Sequence, residues 1–150
     1  MQNDFGKKYK HLQNLITKKL YALFNEDGDS FLSQSSFQVI AYLHDHRDSQ
    51  ITQKDIEKAL VINRATTSKM LHSLEQKGFI ARKSNCDDGR SKVVVLTEAG
   101  ETAYLHNREK LQEFDSFLET VLTEGDLAAF DRIYEKLKAA LSDEQIANEP

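Results

Sequence analysis

Between Ile51 and Gly100 the spacing of apolar residues changes from that of a helix to that of a strand and back, which restricts the folds open to this chain. Apolar residues first recur at helical spacing in two short segments, β-branched residues then flank a polar turn, and helical spacing resumes. Two short helices joined by a tight turn and followed by a hairpin form a winged helix-turn-helix. We therefore predict a mainly α fold with a small β-hairpin (α+β), in which residues 35–97 form the winged helix-turn-helix lobe.

Helix-capping residues support this division of the segment. Thr52 is predicted to cap the first short helix, with Asp55 three residues later in place of the usual Glu or Gln of a capping box. Asn63 is predicted to cap the second, which runs to about Lys77 and is stopped by Gly78. The positions predicted to face inward are Ile56, Ala59 and Leu60 in the first helix, and Thr67, Met70, Leu71 and Leu74 in the second.

The other faces of the second short helix carry short hydroxyl side chains mixed with cations, and no acid occurs before Glu75. An ordinary solvated helix face, which is the alternative, usually carries long Glu, Lys and Arg side chains. Hydroxyls and cations suit the base edges and phosphates of a DNA major groove. The candidate major-groove residues are Arg64, Thr66, Ser68, Lys69 and His72.

The hairpin is predicted from strands at residues 79–83 and 92–96 around a polar tip. An arginine on such a tip can reach the minor groove beside a recognition helix, and a neighbouring carboxylate can hold its guanidinium in position. We name Arg90, Asp88 and Lys92 as candidate DNA contacts of the wing. A solvated hairpin without a ligand is the alternative.

Charge is segregated along the chain, although the net charge is −4. Residues 63–92 carry seven Lys or Arg and three Asp or Glu, whereas residues 98–150 carry five and thirteen. Coulomb attraction is set locally, within about 10 Å at moderate salt, so an acidic chain can present a basic segment to phosphates.

Helices are predicted on both sides of this lobe. The first spans residues 4–24, and the next is capped by Ser35 or Ser36, with an inner face of Phe37, Ile40, Ala41 and Leu43. Residues 98–141 carry two further apolar stripes, which leave more apolar surface than one small subunit can cover. We predict N- and C-terminal dimerisation helices, residues 4–24 and 98–141, whose interface includes Leu12, Ile16, Leu127, Phe130, Ile133, Tyr134 and Leu137.

The segment LEQKGFIARKSNCDDGRSKVVVLTEAG, residues 74–100, resembles the hallmark of the MarR family of bacterial transcriptional regulators. The shared order is Leu-Glu-x-x-Gly, a strand ending in Arg, Asp-x-Arg, and Val-x-Leu-Thr-x-x-Gly. The resemblance covers nearly the whole chain, residues 1–150, as one subunit. It implies a homodimeric repressor that binds a pseudo-palindrome in double-stranded DNA. Gly89 departs from the pattern, because many members have a basic residue there.

The resemblance also implies control by a small ligand, since family members often bind aromatic acids between the dimer helices and the DNA-binding lobe. Tyr9, Leu12, Phe37 and Tyr42 are the candidate pocket residues, with a place in the apolar core as the alternative for each. Cys86 leaves a redox-responsive regulator open, although Asp87 and Asp88 oppose a lowered thiol pKa.

Other classes of function find less support. His44 and His46 lie two apart on a helix and point in different directions, so we expect no metal site made by this pair. Metal sensing elsewhere in the chain is a further alternative.

The sequence lacks a phosphate-binding glycine loop and a nucleophile elbow, so we expect neither an enzyme nor a cofactor. Without an apolar run of about 20 residues, we expect no membrane association and a cytoplasmic protein. A winged helix used for protein or RNA contact is the remaining alternative.

Overall fold

The computed structural model describes residues 4–24, 32–84 and 91–142. Within these ranges it contains six helices and one two-stranded antiparallel hairpin, which confirms the predicted mainly α fold. The chain divides into two units, residues 1–111 and 112–150. The elements are α1 (Phe5–Phe24), α2 (Gln34–Asp45), α3 (Gln53–Leu60), α4 (Arg64–Gln76), β1 (Ile80–Ser84), β2 (Lys92–Leu96), α5 (Glu98–Val121) and α6 (Glu124–Leu141).

The start of α2 corrects one sequence prediction. Ser33 is the N-cap, rather than Ser35 or Ser36, and its hydroxyl accepts a hydrogen bond from the Ser36 amide at 3.2 Å. The first helical bond runs from the Phe37 amide to the Ser33 carbonyl. Ser33 has the extended backbone that an N-cap adopts, so the helix starts two or three residues earlier than predicted.

Local capping chemistry fixes the helix-turn-helix as predicted. Thr52 and Asp55 form a reciprocal capping box at α3, and the Asn63 side chain accepts from the Thr66 amide at 2.8 Å at the start of α4. Between them Val61 adopts a left-handed backbone with φ 54°. Ala59 was predicted to face the core and is exposed, because Ile56 and Leu60 already fill the inner face of this two-turn helix.

The hairpin pairs Arg82 with Val94 and Ser84 with Lys92. Its first strand begins one residue later than predicted, because the Phe79 amide bonds to the Leu74 carbonyl and so closes the end of α4. The second strand matches its predicted bounds.

The core of the first unit lies between α2, α3, α4, the hairpin and the start of α5. Ile40, Ile56 and Leu71 are fully buried in it. At its edge the His44 ring contacts the Glu101 carboxylate, with Nδ1 and Oε2 2.7 Å apart, and stacks on Tyr104. These contacts join α2 to α5.

The second unit contains the end of α5 and all of α6. A capping box of Thr123 and Asp126 starts α6. The backbone amide and the hydroxyl of Thr123 both donate hydrogen bonds to the Asp126 carboxylate, and these bonds lower the pKa of that carboxyl. Among the described residues, every helix is too short or too polar to cross a bilayer.

Candidate nucleic-acid interface

Helix α4 presents one face to the core and the rest to solvent. Thr67, Leu71 and Leu74 are buried, and the Thr67 hydroxyl donates to the Asn63 carbonyl at 2.9 Å. This bond satisfies a buried polar group within the helix, and the burial of Leu71 and Leu74 turns the same face toward the core. Met70 packs at the edge of this face, and the remaining positions of the first turns are exposed.

All five candidate major-groove residues are exposed. Lys69 and His72 lie opposite the buried face, Thr66 and Ser68 lie on its two flanks, and Arg64 lies at one edge in the first turn. The exposed arc therefore combines hydroxyl, ammonium, guanidinium and imidazole groups over about two helical turns.

Of the candidate wing residues, Lys92 begins β2 and is exposed. Arg90 and Asp88 lie outside the described residues, as do Cys86 and Gly89. Their predicted roles stay predictions.

A cleft of about 310 Å³ opens beside the N-terminus of α4. It is bounded by the first turn of α3, the first residue of α4 and the two hairpin strands. Among the described residues, four cations and one carboxylate line it, which gives this part of the lining a positive charge. The lining residues are Thr52, Gln53, Lys54, Glu57, Arg64, Arg82, Ser91, Lys92 and Val94.

Strand register brings two of these cations together. Ser84 shares a strand face with Arg82 and pairs directly with Lys92, so Arg82 and Lys92 are diagonal neighbours on that face. The Val94 amide also bonds to the Ile51 carbonyl at 2.7 Å, which holds the start of α3 against β2. Two chain segments far apart in sequence thus meet at the cleft.

The sequence prediction omitted Arg82 and Lys54 from the candidate DNA contacts. The basic excess of residues 63–92 included Arg82, but only the hairpin register shows which cations share a face. Lys54 lies in a different helix, and its relation to the hairpin depends on the bridge between Thr52 and Val93.

The four predicted ligand-pocket residues lie in different surroundings. Phe37 is buried and stacks on Tyr104, whereas Tyr42 is half-buried against the His46 ring. Tyr9 and Leu12 are exposed on α1. A small apolar cleft of about 90 Å³ between α1 and α2 is lined by other residues, which are Thr17, Leu20, Tyr21, Phe24, Ser33 and Gln34.

The predicted dimer residues are largely uncovered in the single chain. Ile16 on α1 is half-buried, and the other six are exposed. Across the described residues no group of three or more His, Cys, Asp or Glu side chains is arranged to hold a metal ion.

Comparison with known proteins gives a consistent result. The model of the MarR family matches residues 32–92. The uncharacterised helix-turn-helix regulator YwoH of Bacillus subtilis (strain 168) is 30% identical over 121 residues, which are 80% of this chain and 83% of that one. The regulator YdgJ of the same organism is 30% identical over 83 residues, so the chain spans only about half of its length (49%).

Solved structures share the fold over nearly the whole chain. The Staphylococcus aureus MepR–DNA complex aligns with a TM-score of 0.82 and 23% identity, covering 94% of this chain and 100% of that one. Streptomyces coelicolor PcaV, solved with its natural ligand, aligns with a TM-score of 0.82 and 15% identity, covering 93% and 95%.

Proposed function

The chain belongs to the MarR family of transcriptional regulators, and from that premise we propose that it is a repressor that binds double-stranded DNA sequence-specifically. The observation that carries this is the exposed arc of α4, where Arg64, Ser68 and Lys69 are free of the core. The fold shared with MepR, which was solved on DNA, supports the same use. Such a regulator acts in the cytoplasm with the chromosome and is not an enzyme.

The protein binds as a homodimer to a pseudo-palindromic operator. Phe130, Ile133 and Tyr134 on α6, with Tyr9 and Leu12 on α1, expose apolar side chains. Exposed apolar surface costs about 25 cal/mol per Å², which a second copy of the chain removes. Two-fold symmetry then sets the two α4 helices about one DNA turn, roughly 34 Å, apart.

The wing contacts the minor groove beside each half-site. Arg90 enters the groove, Asp88 holds its guanidinium, and Lys92 contacts the flanking phosphate. The predicted interface thus has one recognition helix and one wing per subunit.

A small ligand, of the aromatic acid class, changes the DNA affinity. The structure of PcaV with its natural ligand supports ligand control in this fold. Tyr9, Leu12, Phe37 and Tyr42 are the residues proposed to line the site. A ligand that binds the DNA-free form better will raise its melting temperature and weaken DNA binding together. A panel that includes salicylate tests this, and a compound set that changes neither quantity would contradict it.

Selection from a random DNA library tests the central proposal. The purified protein is expected to enrich an inverted repeat whose half-site centres lie about one helical turn apart. Protein that is folded and dimeric yet enriches no sequence would contradict sequence-specific binding.

Two lysines of α4, one in the exposed arc and one at the C-cap, provide a matched pair of variants. Lys69→Ala removes a cation from the exposed arc and is expected to lose about 1–3 kcal/mol of binding free energy. Lys77→Ala removes the same charge at the C-cap of α4 and is expected to bind like wild type. Equal affinities for both variants on the selected duplex would count against α4 as the recognition helix.

A further inference from the structure

The cleft beside α4 combines positive charge with an unused hydrogen-bond donor. Lys54, Arg64, Arg82 and Lys92 line it, and Glu57 is the one carboxylate in the part of the lining that the structure describes. Glu57 is itself engaged, because its carboxylate accepts from the Gln53 side chain at 3.0 Å. An anion entering the cleft would therefore meet a clear excess of cations.

Arg82 is the most informative of these cations. Its Nε is buried and donates no hydrogen bond to any residue that the structure describes. Among the residues that the structure describes, a carboxylate oxygen of Glu75, Oε2, faces this Nε at 3.7 Å, which is beyond hydrogen-bond distance. A buried donor without an acceptor is unfavourable, and a guanidinium prefers two oxygens of one phosphate or carboxylate group. Arg82 thus lines the cleft with a guanidinium whose buried Nε has no acceptor among the described residues.

The backbone around the cleft also favours an anion. The capping box at the start of α3 satisfies the amides of Thr52 and Asp55. The intervening amides of Gln53 and Lys54 belong to the first turn, where a helix has donors without intrahelical partners and a positive dipole end. The helix end adds to the field of the four side-chain cations.

We propose that this cleft binds a phosphate of the DNA backbone, with Arg82 as its central ligand and Lys54 and Lys92 beside it. The inference rests on the proposed function. Arg64 belongs both to the cleft and to the exposed arc of α4. With α4 in a major groove, the strand that borders the groove runs past the N-terminus of this helix, where the cleft opens. A free phosphate or carboxylate has the same chemistry, and the experiment separates the two sources.

Glu75 does not line the cleft, but its carboxylate is a counter-ion of Arg82. Its carboxylate faces the Arg82 Nε without a hydrogen bond, and its side chain is 42% exposed. It therefore repels an incoming phosphate more than it positions the arginine. Glu75→Gln keeps the side-chain shape, removes the charge and is expected to raise DNA affinity about two- to fivefold at low salt.

The experiment measures how DNA affinity depends on salt for a random-sequence 30-base-pair duplex. Arg82→Gln is expected to reduce the slope of log K against log salt by about 0.9 per cleft, which is about an eightfold loss of affinity at 0.1 M. Lys83→Gln is the matched control, because Lys83 is the next residue of β1, points to the opposite strand face and does not line the cleft. Lys54→Gln, at an exposed position, is expected to act like Arg82→Gln and guards against a folding defect in the latter.

A duplex with one neutral methylphosphonate then locates the contact. The modification is moved along the sequence recovered by selection. At one position it is expected to lower the DNA affinity of wild type but not to lower the affinity of Arg82→Gln any further. Inorganic phosphate is the free-anion probe. Stabilisation of wild type but not Arg82→Gln by millimolar phosphate, with unchanged DNA slopes, would assign the cleft to a free anion and overturn the DNA proposal.

The outcomes also separate the two proposals. Wild-type slopes in both Arg82→Gln and Lys54→Gln would overturn the phosphate cleft and leave the regulator function standing. Library selection without an enriched repeat, together with a reduced slope in both variants, would overturn sequence-specific binding and support the cleft. A wild-type protein that bound no duplex at any salt would overturn both.

Discussion

Gly100 lies against the backbone carbonyl of Phe79, so close that a Cβ at this position would overlap the carbonyl oxygen. The same carbonyl accepts a hydrogen bond from the Thr97 amide at 3.1 Å, and the Thr97 hydroxyl accepts from the Gly100 amide and donates to the Gly78 carbonyl. The Leu-Thr-x-x-Gly segment of the sequence therefore locks the start of α5 onto the end of α4.

Gly100→Ala is expected to destabilise the protein by about 1–3 kcal/mol, because the added methyl group must displace backbone. Gly125→Ala in α6 is the matched control, since the nearest atom to its added Cβ lies at an ordinary 3.7 Å. Denaturant unfolding of the two variants measures the difference. Equal stabilities would show that α5 can shift away from Phe79 without cost.

Val61 provides a prediction of the opposite sign. Its left-handed backbone, with φ 54°, is unfavourable for a β-branched residue, and its side chain is 92% exposed and contributes little packing. Val61→Gly is expected to stabilise the protein by about 0.5–1 kcal/mol after the entropy cost of glycine. Val61→Ala keeps the Cβ and is expected to gain less. Thermal unfolding that ranks alanine above glycine would contradict a strained turn.

Capping chemistry is local, so the sequence was sufficient to predict it. Thr52 with Asp55, and Asn63 with Thr66, lie within three residues of their partners, and both caps are confirmed. Ser33 was missed because Ser33, Ser35 and Ser36 can all cap a helix, and the apolar stripe that follows does not distinguish among them.

The cleft could not be predicted in the same way. Its charge comes from α3, α4 and both strands, and a change of hairpin register by one residue would move Arg82 to the other face. Register depends on the pairing of the strands and on the bridge between Thr52 and Val93, which are tertiary contacts. The exposed arc of α4, in contrast, follows from helical periodicity alone.

The start of α6 is expected to be sensitive to acid. Hydrogen bonds from Thr123 lower the pKa of Asp126 below its ordinary 3.8, so the ionised carboxylate stabilises the folded helix. This stabilisation is present above the unfolded pKa and is lost as the pH falls through the lower, folded value. Asp126→Asn should therefore reduce the melting temperature near pH 7 and approach wild type below pH 3.8.

Asp131→Asn controls for the loss of a carboxylate on the same helix, because Asp131 lies beyond the capping box. Melting temperatures followed by circular dichroism from pH 7 to pH 3 would make the comparison. An Asp126→Asn deficit that stayed constant over this range would rule out the ionised cap as its cause.

The apolar stripe of α6 tests the proposed homodimer. Ile133 is 50% exposed in the single chain and lies between Phe130 and Leu137 on that stripe. Ile133→Glu would place a charge in the proposed interface, where it would have to lose its hydration, and is expected to shift the protein from dimer to monomer at micromolar concentration.

Arg132→Glu places the same carboxylate on the opposite face of α6 and is expected to leave the dimer intact. Sedimentation equilibrium gives both masses directly, and because each half-site needs its own α4, the monomeric variant should also lose its preference for an inverted repeat. A dimer that survives Ile133→Glu would place the interface elsewhere on the chain.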